Sequence, residues 1–262
     1  MTAGTEILWT IKDQEGIEGR TLAPSRIEVL DRLLKANYGF EVSVESLERL
    51  RSKKNIVLHL VLKQDLEEFD VVAKLFIEKS FEIEVDVLDL GARTSLMVPS
   101  KIASQDEVLL MGYIDGSLLV DTLNESFDIS LIEGLAQWYH EFHQKTRHVK
   151  GDPRLRNFLV SNGIIYGFDF EEYREAHWME DIGGIAASIL DTRPVFDARK
   201  VKLAWHLLET YLSLSGMERN VSIDSHFTRV IADTLEQTAK WRDDNQILAH
   251  SRRVRQYGLS VE

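Results

Sequence analysis

The spacing of apolar residues changes once along this chain, and that change limits what it can fold into. NIVLHLVLK (55–63) and DVVAKLFIE (70–78) are dense in Val, Leu and Ile and are joined by the polar stretch QDLEEF, a pattern that predicts two antiparallel strands. From about residue 130 the apolar residues instead recur every three or four positions. SLIEGLAQWYHEFHQK sets Leu131, Leu135, Trp138 and Phe142 on one helical face, and EDIGGIAASILD, ARKVKLAWHLLETYLSLSG and SHFTRVIADTLEQTAKWRDD continue helically almost to the end. A strand-rich first half joined to a helix-rich second half predicts an α+β protein of two lobes, with a cleft as the natural ligand site.

Smaller segments complete the N-lobe, placed at 1–110. RIEVLDRLLKA carries Ile27, Leu30, Leu33 and Leu34 on one stripe and predicts a helix; SVESLERLRS predicts a second short helix from near Ser43. SFEIEVDVLDLGA is open to strand or helix; the spacing of Ile83, Val87 and Leu90, with Ser80 as a cap, favours helix. EVLLMGYIDGSLL is a strand that leaves into a turn at Asp115 and Gly116, and the mainly helical C-lobe takes 111–262.

Composition then excludes whole classes. At 262 residues and 44% hydrophobic content, the chain can bury a sizeable core. Its net charge of −12, from 43 acidic and 31 basic residues, argues against a surface built for broad contact with nucleic acid or anionic membrane. An anionic substrate must therefore be gripped locally. With no cysteine there are no disulfides, thiolate metal sites or thiol nucleophiles. No apolar run reaches the ~18 residues of a membrane helix, and the start MTAGTEILWTIKDQEG lacks a basic then apolar leader, so a cytoplasmic protein is expected.

The chemistry concentrates in VKGDPRLRNFLVSNGIIYGFDFEEY, residues 149–173. KGDPRLRN has neither period and is a loop, whereas FLV and IIYGF are short strands around the tight-turn signal SNG. That hairpin brings the loop beside FDFEE and gathers Asp152, Asn157 and Asp169. Two carboxylates and an amide oxygen are hard ligands suited to magnesium, with one carboxylate available as the base for a hydroxyl nucleophile.

GDPRLRN followed by FDFE resembles the catalytic loop and metal-binding aspartate of the protein-kinase-like superfamily, in the style of aminoglycoside phosphotransferases and the small atypical RIO and KEOPS-type kinases. The resemblance implies a small antiparallel-sheet N-lobe, a mainly helical C-lobe, and transfer of the γ-phosphoryl of ATP to a hydroxyl of a small molecule or a dedicated protein. Asp152 looks like the catalytic base, and Asn157 and Asp169 like the ligands of Mg2+, with Mn2+ as the alternative ion. VVAK places Lys74 where the family keeps its phosphate-binding lysine. Glu84, or Glu82 in the other register, resembles the glutamate that holds it. LLMGYIDG resembles the segment that meets adenine, near Met111 to Tyr113. Asp181 resembles the aspartate that buttresses the loop, and Arg154 stands where many members carry a cation for the transferring phosphoryl.

The chain departs from the family at two places. RLRSKKN, before Ile56, has no glycine where a phosphate loop is expected; Arg51, Lys53 and Lys54 either supply charge instead or form a solvated turn. Lys150 replaces a histidine. Both departures motivate an alternative, a pseudokinase used for nucleotide binding or scaffolding. His140 and His143 invite a metal reading, but their spacing is three and no third ligand stands out, and their aromatic neighbours favour a packed helix. The tail HSRRVRQYGL, with Arg252, Arg253 and Arg255, reads as solvated, with a phosphate or RNA contact as the lesser alternative.

Overall fold

Along the strand Ile56–Gln64 (β2), Ile56, Leu58, Leu60 and Leu62 are fully buried and alternate with less buried residues, as a strand with one face on a core requires. This computed structural model describes residues 5–12, 14, 21–52, 54–77 and 81–260. Lys53 and the Ser80 cap lie outside the described residues. The chain divides into two units, Met1–Ser95 with Pro99–Ile114, and Leu96–Val98 with Asp115–Glu262.

The first unit is built on a five-stranded antiparallel sheet. In chain order its elements are α1 (Pro24–Tyr38), β1 (Ser43–Leu50), β2, β3 (Glu67–Leu75), α2 (Phe81–Thr94), β4 (Lys101–Gln105) and β5 (Val108–Gly112), and the strand order is β1-β2-β3-β5-β4. Ile27, Leu30 and Leu34 of α1 join Val71, Ala73 and Leu75 of β3 in the core behind β2. Strand alternation then turns Val72 and Lys74 to the opposite face.

Residues 43–50, expected as a short helix, form β1 instead. They pair antiparallel with β2 from Ser43 opposite Lys63 to Leu50 opposite Val57, with a bulge between Val44 and Ser46. The cause is long-range: β2 needs a partner for its outer row of backbone groups, and pairing outweighs the weak helical preference of SVESLERL. Glu45, Glu48 and Arg49 stay exposed on this outermost strand, which suits a sheet edge.

The second unit holds a three-stranded sheet, β6 (Ser117–Leu118), β7 (Phe158–Ser161) and β8 (Ile164–Gly167), in that order. Asn162 and Gly163 join β7 to β8 with φ of 50° and 78°, the doubly left-handed two-residue turn that Asn-Gly favours. Around the sheet lie α3 (Leu119–Ser126), α4 (Ile129–Thr146), α5 (Met179–Asp191), α6 (Ala198–Leu214), α7 (Val221–Arg242) and α8 (Asn245–Tyr257). Trp138 of α4 stacks on Phe142 and meets Phe158 edge-on, so the helix expected to lead into the loop is anchored to the hairpin by rings.

The basic C-terminal segment is a helix docked on α7, with Arg252, Arg253 and Arg255 exposed to solvent. Ser251 is buried and bonds to the carbonyl of Ala232, while Arg255 forms ion pairs with Asp233 and Glu236 of α7. Among the described residues no helix is long and apolar enough to cross a membrane.

Candidate active site

In the second unit the loop of residues 149–157 is held from behind by one carboxylate. Asp181, in the first turn of α5, is fully buried; its Oδ2 accepts from the backbone N–H of Lys150 at 2.6 Å and its Oδ1 from that of Gly151 at 3.1 Å. Such charge-assisted bonds are stronger than neutral ones and fix the peptide immediately before Asp152. Gly151 has φ of 85°, and a Cβ there would stand 2.0 Å from the carbonyl of Glu172, so only glycine fits. His143 of α4 supplies Nε2 at 3.1 Å from Asp181 Oδ2, a partner that spacing within HEFH did not reveal.

Asp152 sits between an amide and a guanidinium. Asn157 Nδ2 donates to Asp152 Oδ2 at 2.9 Å and to its backbone carbonyl at 3.1 Å; Arg154 Nε donates to Oδ1 at 2.8 Å. The Arg154 guanidinium also lies over the ring of Trp241, 4.9 Å from the centroid, and that ring is 65% exposed. With the nitrogen of Asn157 committed, its amide oxygen is the atom left to act as a ligand.

Asp169 is tied to the same loop through its neighbours. The N–H of Phe168 donates to the carbonyl of Asn157 at 3.1 Å, and the carbonyl of Asp169 accepts from Lys150 Nζ at 2.6 Å. Asp169 has φ of 63°, a left-handed conformation rare outside glycine. Lys150 is fully buried, its ammonium 5.2 Å from the ring centroid of Phe170 and 5.8 Å from that of Phe158. Lys150 thus places a donor on the Asp169 carbonyl. A second carboxylate, Glu171, comes within 4.8 Å of that of Asp169. Carboxylate and amide oxygens without any thiolate fit a hard divalent cation such as Mg2+ or Mn2+.

In the first unit Lys74 Nζ donates to Glu84 Oε2 at 2.6 Å, with the two residues 5% and 2% exposed, whereas Glu82 is exposed. The alternation of β3 and the first turn of α2 produce this pair, and it resolves the two registers left open by the sequence. Met111 is buried in β5, between Val72 and Lys101 in the ladder. Tyr113 follows the strand, its ring stacked on His59 at 4.2 Å; its N–H reaches the carbonyl of Asp70 only at 3.4 Å, and that of Gly112 bonds to Ser100. Asn55, immediately before β2, is buried and accepts from the N–H of Ile77 at 2.9 Å. Arg51, immediately after β1, is exposed.

Of the residues nominated from the sequence, Asp152, Arg154 and Asn157 form one hydrogen-bonded group, Asp169 joins it through backbone, and Lys74 pairs with Glu84. His143, Glu171 and Asn55 were not singled out for these roles. Glu171 was legible as the second acidic residue of FDFE, but His143 and Asn55 act on partners far away in sequence.

No protein-family model matches the sequence. No curated protein matches it either. Solved structures do match. An amicoumacin kinase, in complex with AMP-PNP, Ca2+ and amicoumacin, superposes with a TM-score of 0.61 at 13% identity, over 88% of this chain and 95% of that one. A choline kinase from Cryptosporidium parvum gives 0.58 at 11% identity, over 89% and 98%. An ADP-bound aminoglycoside phosphotransferase gives 0.58 at 13%, over 90% and 97%. The chain therefore has the protein-kinase-like fold and resembles that superfamily.

Proposed function

We propose that the protein is an ATP-dependent phosphotransferase that moves the γ-phosphoryl group of ATP, with a divalent cation, to a hydroxyl of a small molecule. The observation that carries this reading is the Asp152 group. Its carboxylate is oriented by Asn157 and Arg154 on a loop that Asp181 fixes through two backbone N–H groups. A rigidly presented carboxylate of this kind accepts the proton of an attacking hydroxyl, and positioning supplies much of the rate.

The remaining residues take roles that their chemistry supports. Lys74, a point charge set by Glu84, acts on the α- and β-phosphates of the nucleotide. Arg154 retains free guanidinium N–H groups beside the Nε that holds Asp152, and these stabilise charge on the transferring phosphoryl. Asn157 and Asp169, with Glu171, hold the cation. When bound, the cation neutralises phosphate charge. Backbone near Met111 to Tyr113 meets the adenine, and Lys53, with Arg51 and Lys54, supplies cationic charge where a glycine loop is missing. The small-molecule acceptor is supported by structural neighbours described as amicoumacin and choline kinases.

A second reading has its own observation. Both oxygens of Asp152 are already engaged, and the β1–β2 connection has no glycine, features that suit a nucleotide-binding or scaffolding module without turnover.

The deciding experiment is calorimetric titration with ATP, with and without Mg2+, followed by a phosphoryl-transfer screen over hydroxyl acceptors. The expected result is cation-dependent binding, lost in Asp169→Asn and kept in Asp152→Ala, while Asp152→Ala lowers turnover by about 1,000-fold. Binding without transfer to any acceptor favours the module, and no binding by the wild type removes both readings.

A further inference from the structure

Away from the Asp152 group, the second unit contains a cavity of about 340 Å³ between the C-terminal half of α4, residues 176–178 and the end of α6. That volume lies within the range of small-ligand sites. Its lining is unusual for this chain. His140, His143, His148 and His177 surround it with Arg147, and among the described residues no carboxylate lines it, although the protein carries 43 acidic residues and a net charge of −12.

The hydrogen bonds of these groups define what they offer. His177 Nδ1 accepts from the N–H of Met179 at 3.2 Å, which leaves Nε2 as the protonated nitrogen. His140 Nε2 lies 3.0 Å from the amide nitrogen of Gln144 and acts as acceptor, so its Nδ1 carries the proton. The cavity thus presents imidazole N–H donors and an exposed guanidinium, the complement of an anion. One wall is aromatic, with Trp178 stacked on Tyr211 at a centroid distance of 4.8 Å and 24° between planes. A flat ring extends such a stack.

The floor of the cavity is joined to the catalytic loop. His143 Nδ1 is 2.9 Å from the Tyr211 hydroxyl, and its Nε2 meets the same Asp181 oxygen that holds the Lys150 N–H. Burial pushes the Tyr211 phenol up to about 12, so the hydroxyl stays protonated; with His143 Nε2 donating to the Asp181 carboxylate, Nδ1 is the nitrogen left to accept from it.

We propose that this cavity is a second ligand site for a small aromatic anion, and that Tyr211, His143 and Asp181 carry its occupancy to the peptide of Gly151. The coupling half rests on the phosphotransferase reading for its consequence in turnover; the binding half does not.

The test is an NMR titration of the full chain with phenyl phosphate, with phenol and inorganic phosphate as separate probes. Saturable shifts of the His140, His177 and Trp178 side-chain signals are expected, unchanged in Asp169→Asn, and weakened about tenfold in Arg147→Gln through loss of the cation. Weaker binding of phenol and of phosphate alone is expected, because each lacks one half of the recognition. No shifts up to about 10 mM phenyl phosphate, or equal affinity in Arg147→Gln, overturns the site. For the coupling, the Gly151 amide signal should move on binding in wild type and stay still in Tyr211→Phe. A wild-type Gly151 signal that does not respond to the bound probe overturns that half even if the site stands, and both results are read without ATP or turnover.

Discussion

The Lys150 ammonium donates at 2.6 Å to the backbone carbonyl of Asp169, the residue whose backbone adopts φ of 63°. A non-glycine residue held in the left-handed region costs about 1 kcal/mol or more and persists only where its surroundings impose it. Lys150 is part of what imposes it. Lys150→Met should release the Asp169 carbonyl and weaken Mg2+-dependent ATP binding about tenfold, whereas Lys150→His, which keeps a donor, should recover most of the affinity. Calorimetry with thermal melts alongside separates the effects: a loss of melting temperature in Lys150→Met with cation-dependent binding intact would reduce Lys150 to a packing residue.

The Lys74–Glu84 pair sets up a second experiment. Because both groups are buried, removing one strands the other, at a cost of about 3–5 kcal/mol. Lys74→Met should therefore both destabilise the fold and abolish turnover. Lys74→Met combined with Glu84→Leu should regain most of the stability and none of the turnover, since an apolar pair of similar volume removes the stranded charge. Urea unfolding and phosphoryl-transfer assays on the wild type and the two variants check this, and recovered turnover in the double variant would show that the lysine is structural.

What the sequence made legible was local. The Asn162-Gly163 turn, the stripe of α4 and the alternation of β2 all follow from neighbours a few residues apart, and each was readable as such. What was not legible depended on distant partners. SVESLERL has helix-forming residues and apolar spacing that permits a helix, and it became β1 because β2 lay beside it, a fact absent from its own eight residues. The choice between Glu84 and Glu82 turned on the rotation of α2 against β3. His143 was read from its spacing to His140, whereas its role comes from Asp181, 38 residues away. The same applies to Lys150, which stood out as a departure but whose partner, the carbonyl of Asp169, is a backbone atom that no residue pattern records.

Tyr139 gives a prediction in the opposite direction. It is fully buried in α4, its hydroxyl has no hydrogen-bond partner among the described residues, and its phenol is pushed well above its ordinary range by burial and by the charges of Asp181 and Asp152. A buried hydroxyl without a partner is a net cost. Tyr139→Phe should leave stability unchanged or raise it by up to about 1 kcal/mol and leave nucleotide binding intact. A loss of more than about 1 kcal/mol in urea unfolding would mean that the hydroxyl has a partner after all, such as a bound water.

Lys200 predicts a pH dependence. It is fully buried in α6, donates to the carbonyl and hydroxyl of Thr192 at 2.7 and 2.8 Å, and burial brings its ammonium down to about 8 from 10.5, against the opposing pull of Asp191 and Asp197. Below that value both folded and unfolded chains hold the proton, and Lys200 contributes no slope. Between about pH 8 and 10.5 the folded chain has lost the proton and the unfolded chain keeps it, so stability rises with pH. The neutral amine can still donate to Thr192, so the bonds survive deprotonation. Wild type should therefore gain up to about 3 kcal/mol relative to Lys200→Met as pH is raised from neutrality to about 10. Urea unfolding of both proteins across that range measures the difference directly; a constant gap between them means that Lys200 titrates alike in both states and that its ammonium is hydrated in the fold.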